Sequence, residues 1–497
     1  MKEFIDSKLL KKILWQRKLM KNTDHYDFVV IGGGPAGQGA AEAAAIYGYK
    51  TLVVESNVLG GVVATTGGAP TKTLHDAALY FTGFRDRGVY GLAGQIDPAF
   101  VGKHLRSRTI DVCTKMQETV RLTFEKRGID VIYGRARLGP GRTVVVAERQ
   151  HGGQERKFSA DRILLATGSR PFCPPNISFE DPNIYDSEKL FTIPRLPKNA
   201  LVVGGGAIGC EYASIFKALG VSVTLIDSGD RLLSMMDGEI SRLAATVYEG
   251  MGIRLIIGKR VKCIQRVQDT LEVTLESGEI LSSETALFAV GRSANTDGLG
   301  LNEAGVNTNE RREIVVDRGF QTSAEGIYAA GDVISPSLSS VSMEQGRVAA
   351  CHAFNLAFKE SIDPLPVWAV YSIPEVAGVG LTEEEAKAQG IDYEVGRSNF
   401  ATLPRGIISG HSDGMLKLVF RRDNHRLLGV HALGDIASEL IGLGQATIHL
   451  GGEIDLFNRL TFATPTYSMA YKFAAFDGFR RLGTVQQKKG DDYVGYA

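Results

Sequence analysis

Two stretches of this chain run through the same order of apolar and polar positions. The first is the apolar block Phe28-Val29-Val30-Ile31, then Gly32-x-Gly34-x-x-Gly37, then an alanine-rich stretch from Gly39 to Ala45. It closes on a second apolar block ending in an acid, Lys50-Thr51-Leu52-Val53-Val54-Glu55. The pattern reads as strand, glycine turn, helix, strand and terminal carboxylate. The second stretch repeats it: Leu201-Val202-Val203, Gly204-x-Gly206-x-x-Gly209, a helix from about Cys210, and Val221-Ser222-Val223-Thr224-Leu225-Ile226-Asp227. A third pattern lies in residues 1–24, where Phe4, Ile5, Leu9, Leu10, Ile13, Leu14 and Trp15 recur at helical spacing among Lys8, Lys11, Lys12, Arg17, Lys18 and Lys21. This predicts a basic amphipathic helix suited to weak membrane-surface contact, or a helix packed on the protein itself.

The glycines of each repeat have separate tasks. Gly32 and Gly204 permit the tight turn, Gly34 and Gly206 let backbone amides approach a pyrophosphate, and Gly37 and Gly209 allow close helix–sheet packing. Glu55 and Asp227 sit where a carboxylate accepts hydrogen bonds from ribose hydroxyls. An acid at 227 favours NAD(H), because it repels a 2′-phosphate; Arg231, four residues on, could supply a compensating charge for NADP(H). Two such folds imply two dinucleotides bound together.

The 497 residues exceed one hydrophobic core and imply about three domains. Lys+Arg and Asp+Glu both number 56, so no global field draws the chain to nucleic acid. The excess of glycine, 58 residues, fits tight turns and close backbone approach to ligands. Five cysteines (Cys113, Cys173, Cys210, Cys263, Cys351), never at C-x-x-C spacing, argue against a disulfide framework or zinc site and for a reducing, cytoplasmic setting. All five read as small buried fillers. No uncharged apolar run is long enough to span a bilayer, and no metal site is expected.

The segment Gly60-Gly61-Val62-Val63-Ala64-Thr65-Thr66-Gly67-Gly68-Ala69-Pro70-Thr71-Lys72 resembles the redox loop of the pyridine nucleotide-disulfide oxidoreductases, G-G-x-C-x4-C-x-P-S-K, with Val63 and Gly68 at the two cysteine positions. The likeness runs from about Tyr26 to Arg481. Ala166-Thr167-Gly168-Ser169-Arg170-Pro171 resembles the family's A-T-G-x-x-P strand end, and Ala289-Val290-Gly291-Arg292 its counterpart in the second fold. Gly326-Ile327-Tyr328-Ala329-Ala330-Gly331-Asp332 resembles the second FAD motif, which implies that Asp332 hydrogen-bonds the ribityl chain. Tyr371 to Ala377 and Thr382 to Ala386 match the opening strand and following helix of the interface domain. The resemblance implies an α/β fold with two Rossmann-like dinucleotide-binding domains, for FAD and NAD(P), plus an α+β dimerisation domain, assembled as a homodimer. The expected boundaries are 1–24 for the extension, 25–171 and 296–365 for the FAD domain, 172–295 for the NAD(P) domain and 366–497 for dimerisation.

Within the family the likeness is greatest to the soluble pyridine nucleotide transhydrogenase group, through Asp230-Arg231-Leu232-Leu233 and the run from Phe462 to Arg481. Where disulfide reductases carry the histidine and glutamate of H-P-T-x-x-E, this chain has Thr464 and Met469. The resemblance assigns the flavin site to Lys72 and Glu211, the lysine favouring reduced flavin and the glutamate orienting it and reaching the nicotinamide. Reduction of FAD by NAD(P)H needs nothing more. Three outlets stay open: a second pyridine nucleotide (transhydrogenation), a quinone, or none, the chain then being a FAD-bearing scaffold or redox sensor. A dithiol reaction is excluded, since valine and glycine carry no thiolate. His75 falls on the same predicted helix as Lys72 and reads as a core or surface histidine or a substitute base; His449 has no partner visible in sequence.

Overall fold

The computed structural model describes residues 24–91, 98–193 and 195–483. The basic amphipathic segment expected over 1–24 lies outside them, apart from Asp24. The described residues divide into two compact units, one falling within 1–61, 117–169 and 293–362, the other within 62–116, 170–292 and 363–497.

The first unit is built on a parallel sheet. His25–Ile31 lies between Thr51–Glu55 and the far half of Glu155–Leu165; Asp130–Gly139 pairs outside the former and Ile327–Ala329 outside the latter. Beyond the parallel part, Asp130–Gly139, Thr143–Glu148 and Glu155–Leu165 continue as an antiparallel meander. Alternation along the central strand sorts side chains between two cores. Val29 and Ile31 join Leu52, Val54, Phe158 and Leu165 on one face, while Phe28 and Val30 join Val53 and the helices on the other. A sheet covered on both faces is what a parallel arrangement with uninterrupted apolar strands requires. The helix Pro35–Ile46 packs on Ser339–Phe354, and Gly39 and Gly346 let the two backbones nearly touch.

The second unit repeats this plan. Asn199–Val203 is flanked by Ser222–Asp227 and Thr285–Phe288, with Arg254–Ile257 and Ile184–Asp186 outermost, all parallel. Its meander is Val261–Val267, Thr270–Leu275 and Ile280–Ser283. The same unit holds a five-stranded antiparallel sheet in the order Trp368–Val370, Glu375–Gly380, Leu427–Gly434, Met415–Arg421, Tyr393–Asn399. Helices Ala437–His449 and Ala470–Arg481 cover it. The fold is therefore α/β with two Rossmann-like domains and an α+β domain. Among the described residues no helix is long and apolar enough to cross a membrane.

Local expectations needed correction at four places. The second-repeat helix spans Ala207–Ala218, beginning three residues before Cys210, because the turn is complete at Gly206. The segment from Tyr371 to Ala377 is the tip and second arm of a hairpin rather than one strand. Only Cys210 and Cys351 are buried; Cys173 is exposed, in the loop after a short strand, while Cys113 and Cys263 are half-buried on an amphipathic helix and a meander edge. His449 has a partner, Asp363 Oδ2 at 2.9 Å, which sequence distance concealed.

Candidate functional site: two nucleotide cradles and an ion-paired centre

Both glycine turns have the geometry their spacing predicts. A Cβ on Gly37 would collide with the carbonyl oxygen of Gly32, and one on Gly209 with that of Gly204, so each helix crosses its strand too closely for any side chain. The middle glycines face open space instead. Among the described residues a Cβ on Gly206 would meet nothing within 4 Å, and one on Gly34 only the Gly61 Cα at 3.7 Å. Gly34 and Gly206 are also the N-caps of twelve-residue helices that receive no side-chain cap, leaving the first-turn amides of each helix without the usual side-chain acceptor. Open space over uncapped helix amides fits a pyrophosphate.

The acids at the strand ends are engaged with the turns. Buried Glu55 accepts from the amides of Gly33 and Asn57, each at 2.7 Å. Asp227 accepts from Gly205 and, at 2.6 Å, from Gly229. Arg231 is turned to the Ser234 carbonyl at 3.0 Å and the Glu384 carboxylate at 3.7 Å. In the first unit, Thr167 Oγ1 donates to the Asn295 carbonyl at 2.7 Å, and Gly168 follows with φ +70°. Asp332 accepts from Ser169 Oγ at 2.6 Å and Ser337 N at 3.1 Å. Gly61 and Gly291 adopt positive φ of 56° and 120°.

The second unit brings Lys72 and Glu211 together across 139 residues of sequence. Lys72 lies in the first turn of the helix Ala69–Thr82, opened by Pro70; Glu211 lies on Ala207–Ala218. Lys72 Nζ is 2.9 Å from both carboxylate oxygens of Glu211. The Glu211 side chain is 8% exposed and that of Lys72 34%. Tyr371 N donates to Glu211 Oε1 at 3.0 Å, and Lys72 Nζ stands 4.8 Å from the centroid of the Tyr371 ring.

The loop before Lys72 keeps a defined shape without sulfur. The amides of Thr65, Thr66 and Gly67 all donate to the Val62 carbonyl, and Thr71 Oγ1 reaches back to the carbonyls of Gly67 and Gly68. Positions 63 and 68 face each other: a Cβ on Gly68 would lie 2.8 Å from Val63 Cγ1 and 2.9 Å from Val63 Cα. Thr464 and Met469 are likewise adjacent, Thr464 Oγ1 at 3.2 Å from Met469 Sδ. His75 is a buried helix residue bonded through Nδ1 to Asp76 Oδ1 at 2.9 Å. The thiol of Cys210 is pushed well above its ordinary range by burial and by the nearby Asp227 and Glu211 carboxylates, so it stays protonated. Among the described residues no group of three metal-ligating side chains converges.

Sequence reasoning did not find a buried cluster in the same unit. Lys417 Nζ, 1% exposed, sits 2.9 and 3.0 Å from the oxygens of Asp237, 3.0 Å from Glu239 and 2.6 Å from Glu383. Arg397 forks onto Glu239 at 2.6 and 2.8 Å. Burial opposes charge on Lys417, yet the Asp237, Glu383 and Glu239 contacts outweigh it and hold its pKa above the ordinary lysine value. The cluster ties the start of the helix Gly238–Gly250 to the antiparallel sheet.

Comparison with known proteins agrees with this geometry. The family profile described as pyridine nucleotide-disulphide oxidoreductase matches residues 26–350, and that family's dimerisation domain matches 367–475. A soluble pyridine nucleotide transhydrogenase of Mycobacterium tuberculosis is 39% identical over 464 residues, covering 93% of this chain and 99% of the relative. One from Pseudomonas aeruginosa is 37% identical over 464 residues, covering 92% and 99%. The crystal structure of LpdA from Mycobacterium tuberculosis superposes with a TM-score of 0.82 at 27% identity, covering 92% of this chain and 99% of that one. The HOCl-induced flavoprotein disulfide reductase RclA from Escherichia coli superposes with a TM-score of 0.81 at 26% identity, covering 91% and 99%.

Proposed function

Since the chain belongs to the pyridine nucleotide-disulphide oxidoreductase family, we propose that this pyridine nucleotide-linked flavoprotein oxidoreductase is a transhydrogenase. The net reaction is NADH + NADP⁺ ⇌ NAD⁺ + NADPH, in either direction or between like nucleotides. One hydride changes hands and no proton is released. FAD, when bound, supplies the two-electron carrier between the two nucleotides.

The observation that carries this reading is the intact Lys72–Glu211 pair, 2.9 Å apart, in a chain whose positions 63, 68, 464 and 469 hold valine, glycine, threonine and methionine. None of these four can form a disulfide or act as a general base. Electron entry is provided for and the dithiol outlet is missing, so the oxidant must meet the carrier directly.

The uncapped first-turn amides of the helix Pro35–Ile46, framed by Gly32, Gly34 and Gly37, with Glu55, Gly61, Thr167, Gly168 and Asp332, would hold FAD. Those of the helix Ala207–Ala218, framed by Gly204, Gly206 and Gly209, with Asp227, Arg231 and Gly291, would hold the nicotinamide nucleotide. Lys72 places Nζ against Glu211 at 2.9 Å, and Glu211 keeps an acceptor oriented for an amide donor of the incoming nucleotide. The carboxylate of Asp227 favours NAD(H). In domain terms, residues 25–171 and 296–365 would carry FAD, 172–295 the nicotinamide nucleotide, and 366–497 the contact with a second copy, after the 1–24 extension. Exposed Ile407, Ile408 and Leu450 on this last domain suit a homodimer interface; the cysteine pattern suits the cytoplasm. The relatives named above bear transhydrogenase and disulfide reductase names.

The test is anaerobic reduction with NADH followed by thio-NADP⁺ or thio-NAD⁺, monitoring thionicotinamide reduction. Stoichiometric hydride recovery is expected; a reduced protein that neither analogue reoxidises would overturn the proposal.

A further inference from the structure

The hairpin between Trp368–Val370 and Glu375–Gly380 ends in the four-residue tip Tyr371–Pro374. The amides of this tip are not used in the strand ladder. Tyr371 N donates to the Glu211 carboxylate and Ile373 N to Ser214 Oγ, both at 3.0 Å. Ser214, fully buried, lies three residues beyond Glu211 and donates to the Glu211 carbonyl at 2.9 Å. The tip therefore grips one face of the Glu211 helix at two points a single turn apart.

The same tip reaches the Lys72 helix. Ile373, with no exposed surface, clusters with Ala78 of that helix and with Ile215 and Ala218 of the other; Leu74 packs against the group. The Tyr371 ring lies under the Lys72 ammonium at 4.8 Å, within the range of a cation–π contact. Ser372 Oγ donates to the Pro374 carbonyl at 2.7 Å and braces the turn from inside. Beyond the ring, Ser438 N and Oγ donate to Glu375 Oε2 at 2.9 and 2.7 Å, anchoring the base of the second arm. Two helices already joined by the Lys72–Glu211 pair are thus indexed to each other by a third segment, 160 residues beyond Glu211.

We propose that the Tyr371–Pro374 tip is a clamp on the Lys72–Glu211 pair, with Tyr371 a positioning residue whose ring fixes where the Lys72 charge stands. The proposal rests on the functional reading above for its consequence, that hydride transfer depends on that position. A carboxylate held by one mobile lysine could rotate with it. Glu211 also takes a backbone amide that cannot move without the hairpin, so the lysine remains to be fixed; Thr71 Oγ1 holds it weakly at 3.3 Å from its own helix, and the ring fixes it from the hairpin.

The experiment compares holoenzyme variants Tyr371→Leu, Tyr371→Phe and Ser214→Ala. Two quantities are read: the single-turnover rate of bleaching by NADH, and the flavin reduction equilibrium in a titration against a redox dye, which needs no nucleotide. Tyr371→Leu should lower the rate about three- to fivefold, the loss expected of a cation–π contact at a partly exposed site. KM for NADH should stay unchanged and the reduction equilibrium should shift measurably. Tyr371→Phe, which keeps ring and amide, should restore both. In a Lys72→Met background the Tyr371→Leu effect should vanish. Ser214→Ala, which frees the second grip, should lower the rate with FAD retained. The clamp is wrong if Tyr371→Leu matches wild type in both readings, if Tyr371→Phe is equally damaging, or if the effect persists without Lys72. A shifted dye equilibrium in a protein that no thio-nucleotide reoxidises would keep the clamp and reject the transhydrogenase.

Discussion

Removing the Lys72 side chain is the most direct perturbation of the proposed chemistry. Its Nζ sits 2.9 Å from both Glu211 oxygens, and the Glu211 side chain is 8% exposed. Lys72→Ala would strand a carboxylate in a poorly hydrated place with one remaining charge-stabilising donor, Tyr371 N. Breaking a fully buried pair costs about 3–5 kcal/mol. Lys72 itself is 34% exposed, so water screens part of the attraction and can refill the gap, which lowers the expected loss to about 1.5–3 kcal/mol. If that loss falls on the transition state, hydride transfer slows by roughly one to two powers of ten. The assay is stopped-flow bleaching by saturating NADH, with FAD content measured from the absorbance of the same sample, so that lost cofactor is not mistaken for lost rate. Glu211→Gln should also slow transfer, while leaving an acceptor for the Tyr371 amide. A Lys72→Ala protein with full FAD content and a rate within twofold of wild type would refute the assignment.

The two glycine turns should separate in their effects. Gly209→Ala drives a Cβ into the Gly204 carbonyl, costing about 1–3 kcal/mol of local overpacking. It should weaken NADH binding with FAD retained, whereas Gly37→Ala should lose FAD, as read by equilibrium dialysis. Gly206→Ala meets nothing within 4 Å among the described residues, so an unchanged melting temperature with a raised KM for nucleotide would show that its space belongs to the ligand. Arg231 is committed to Ser234 and Glu384; Arg231→Ala should change the NADPH/NADH preference less than Asp227→Asn does in steady-state ratios. Lys417→Ala leaves three carboxylates facing one another in a buried cluster and should cost about 3–5 kcal/mol in urea unfolding, far more than a surface lysine. Burial opposes charge on Asp237, but His431, Lys417 and the Glu383 amide prevail and its pKa is lowered. A lowered carboxylate stabilises the fold above its unfolded value of about 3.9 and loses that contribution as pH falls through the folded value. Burial lowers the pKa of His431, so its contribution is complete above about pH 6.5 and fades below. Thermal melts should therefore weaken in two steps on acidification, and the lower step should shrink in Asp237→Asn.

The glycine units were legible because their information is local. Which glycine must be bare follows from the spacing itself, and the collisions at Gly37 and Gly209 show it position by position. The start of the second helix was misplaced because Ala207 and Ile208 carry no signal that a turn has ended. The resemblance places an opening strand over Tyr371 to Ala377, and only the tertiary structure reveals a tip whose amides go to Glu211 and Ser214. The Lys417 cluster was invisible for the same reason. Asp237, Glu239 and Glu383 look like ordinary surface charges, and their shared cation lies 180 residues beyond Asp237. Cysteine burial could not be assigned from residue type; Cys173 shows that a small apolar side chain in a loop need not find a core.

The sulfur-free loop bears on how far this chain stands from dithiol chemistry. Its turn is closed by the Val62 carbonyl and the Thr71 hydroxyl, groups that owe nothing to a disulfide, so the frame that presents Lys72 survives without one. Closure has gone further than mere loss of thiols. With Val63 Cα and Cγ1 at 2.8–2.9 Å from where a Cβ on Gly68 would stand, any side chain at 68 must displace backbone before it can act. Glycine there is a steric requirement of this loop, not only an absent cysteine. Replacing Val63 and Gly68 together by cysteine should therefore give a destabilised loop rather than a working dithiol centre, detectable as a lowered melting temperature without lipoamide or glutathione disulfide turnover. Disulfide turnover by that double variant at unchanged stability would show the loop to be permissive, and would remove the steric argument against a dithiol centre in it.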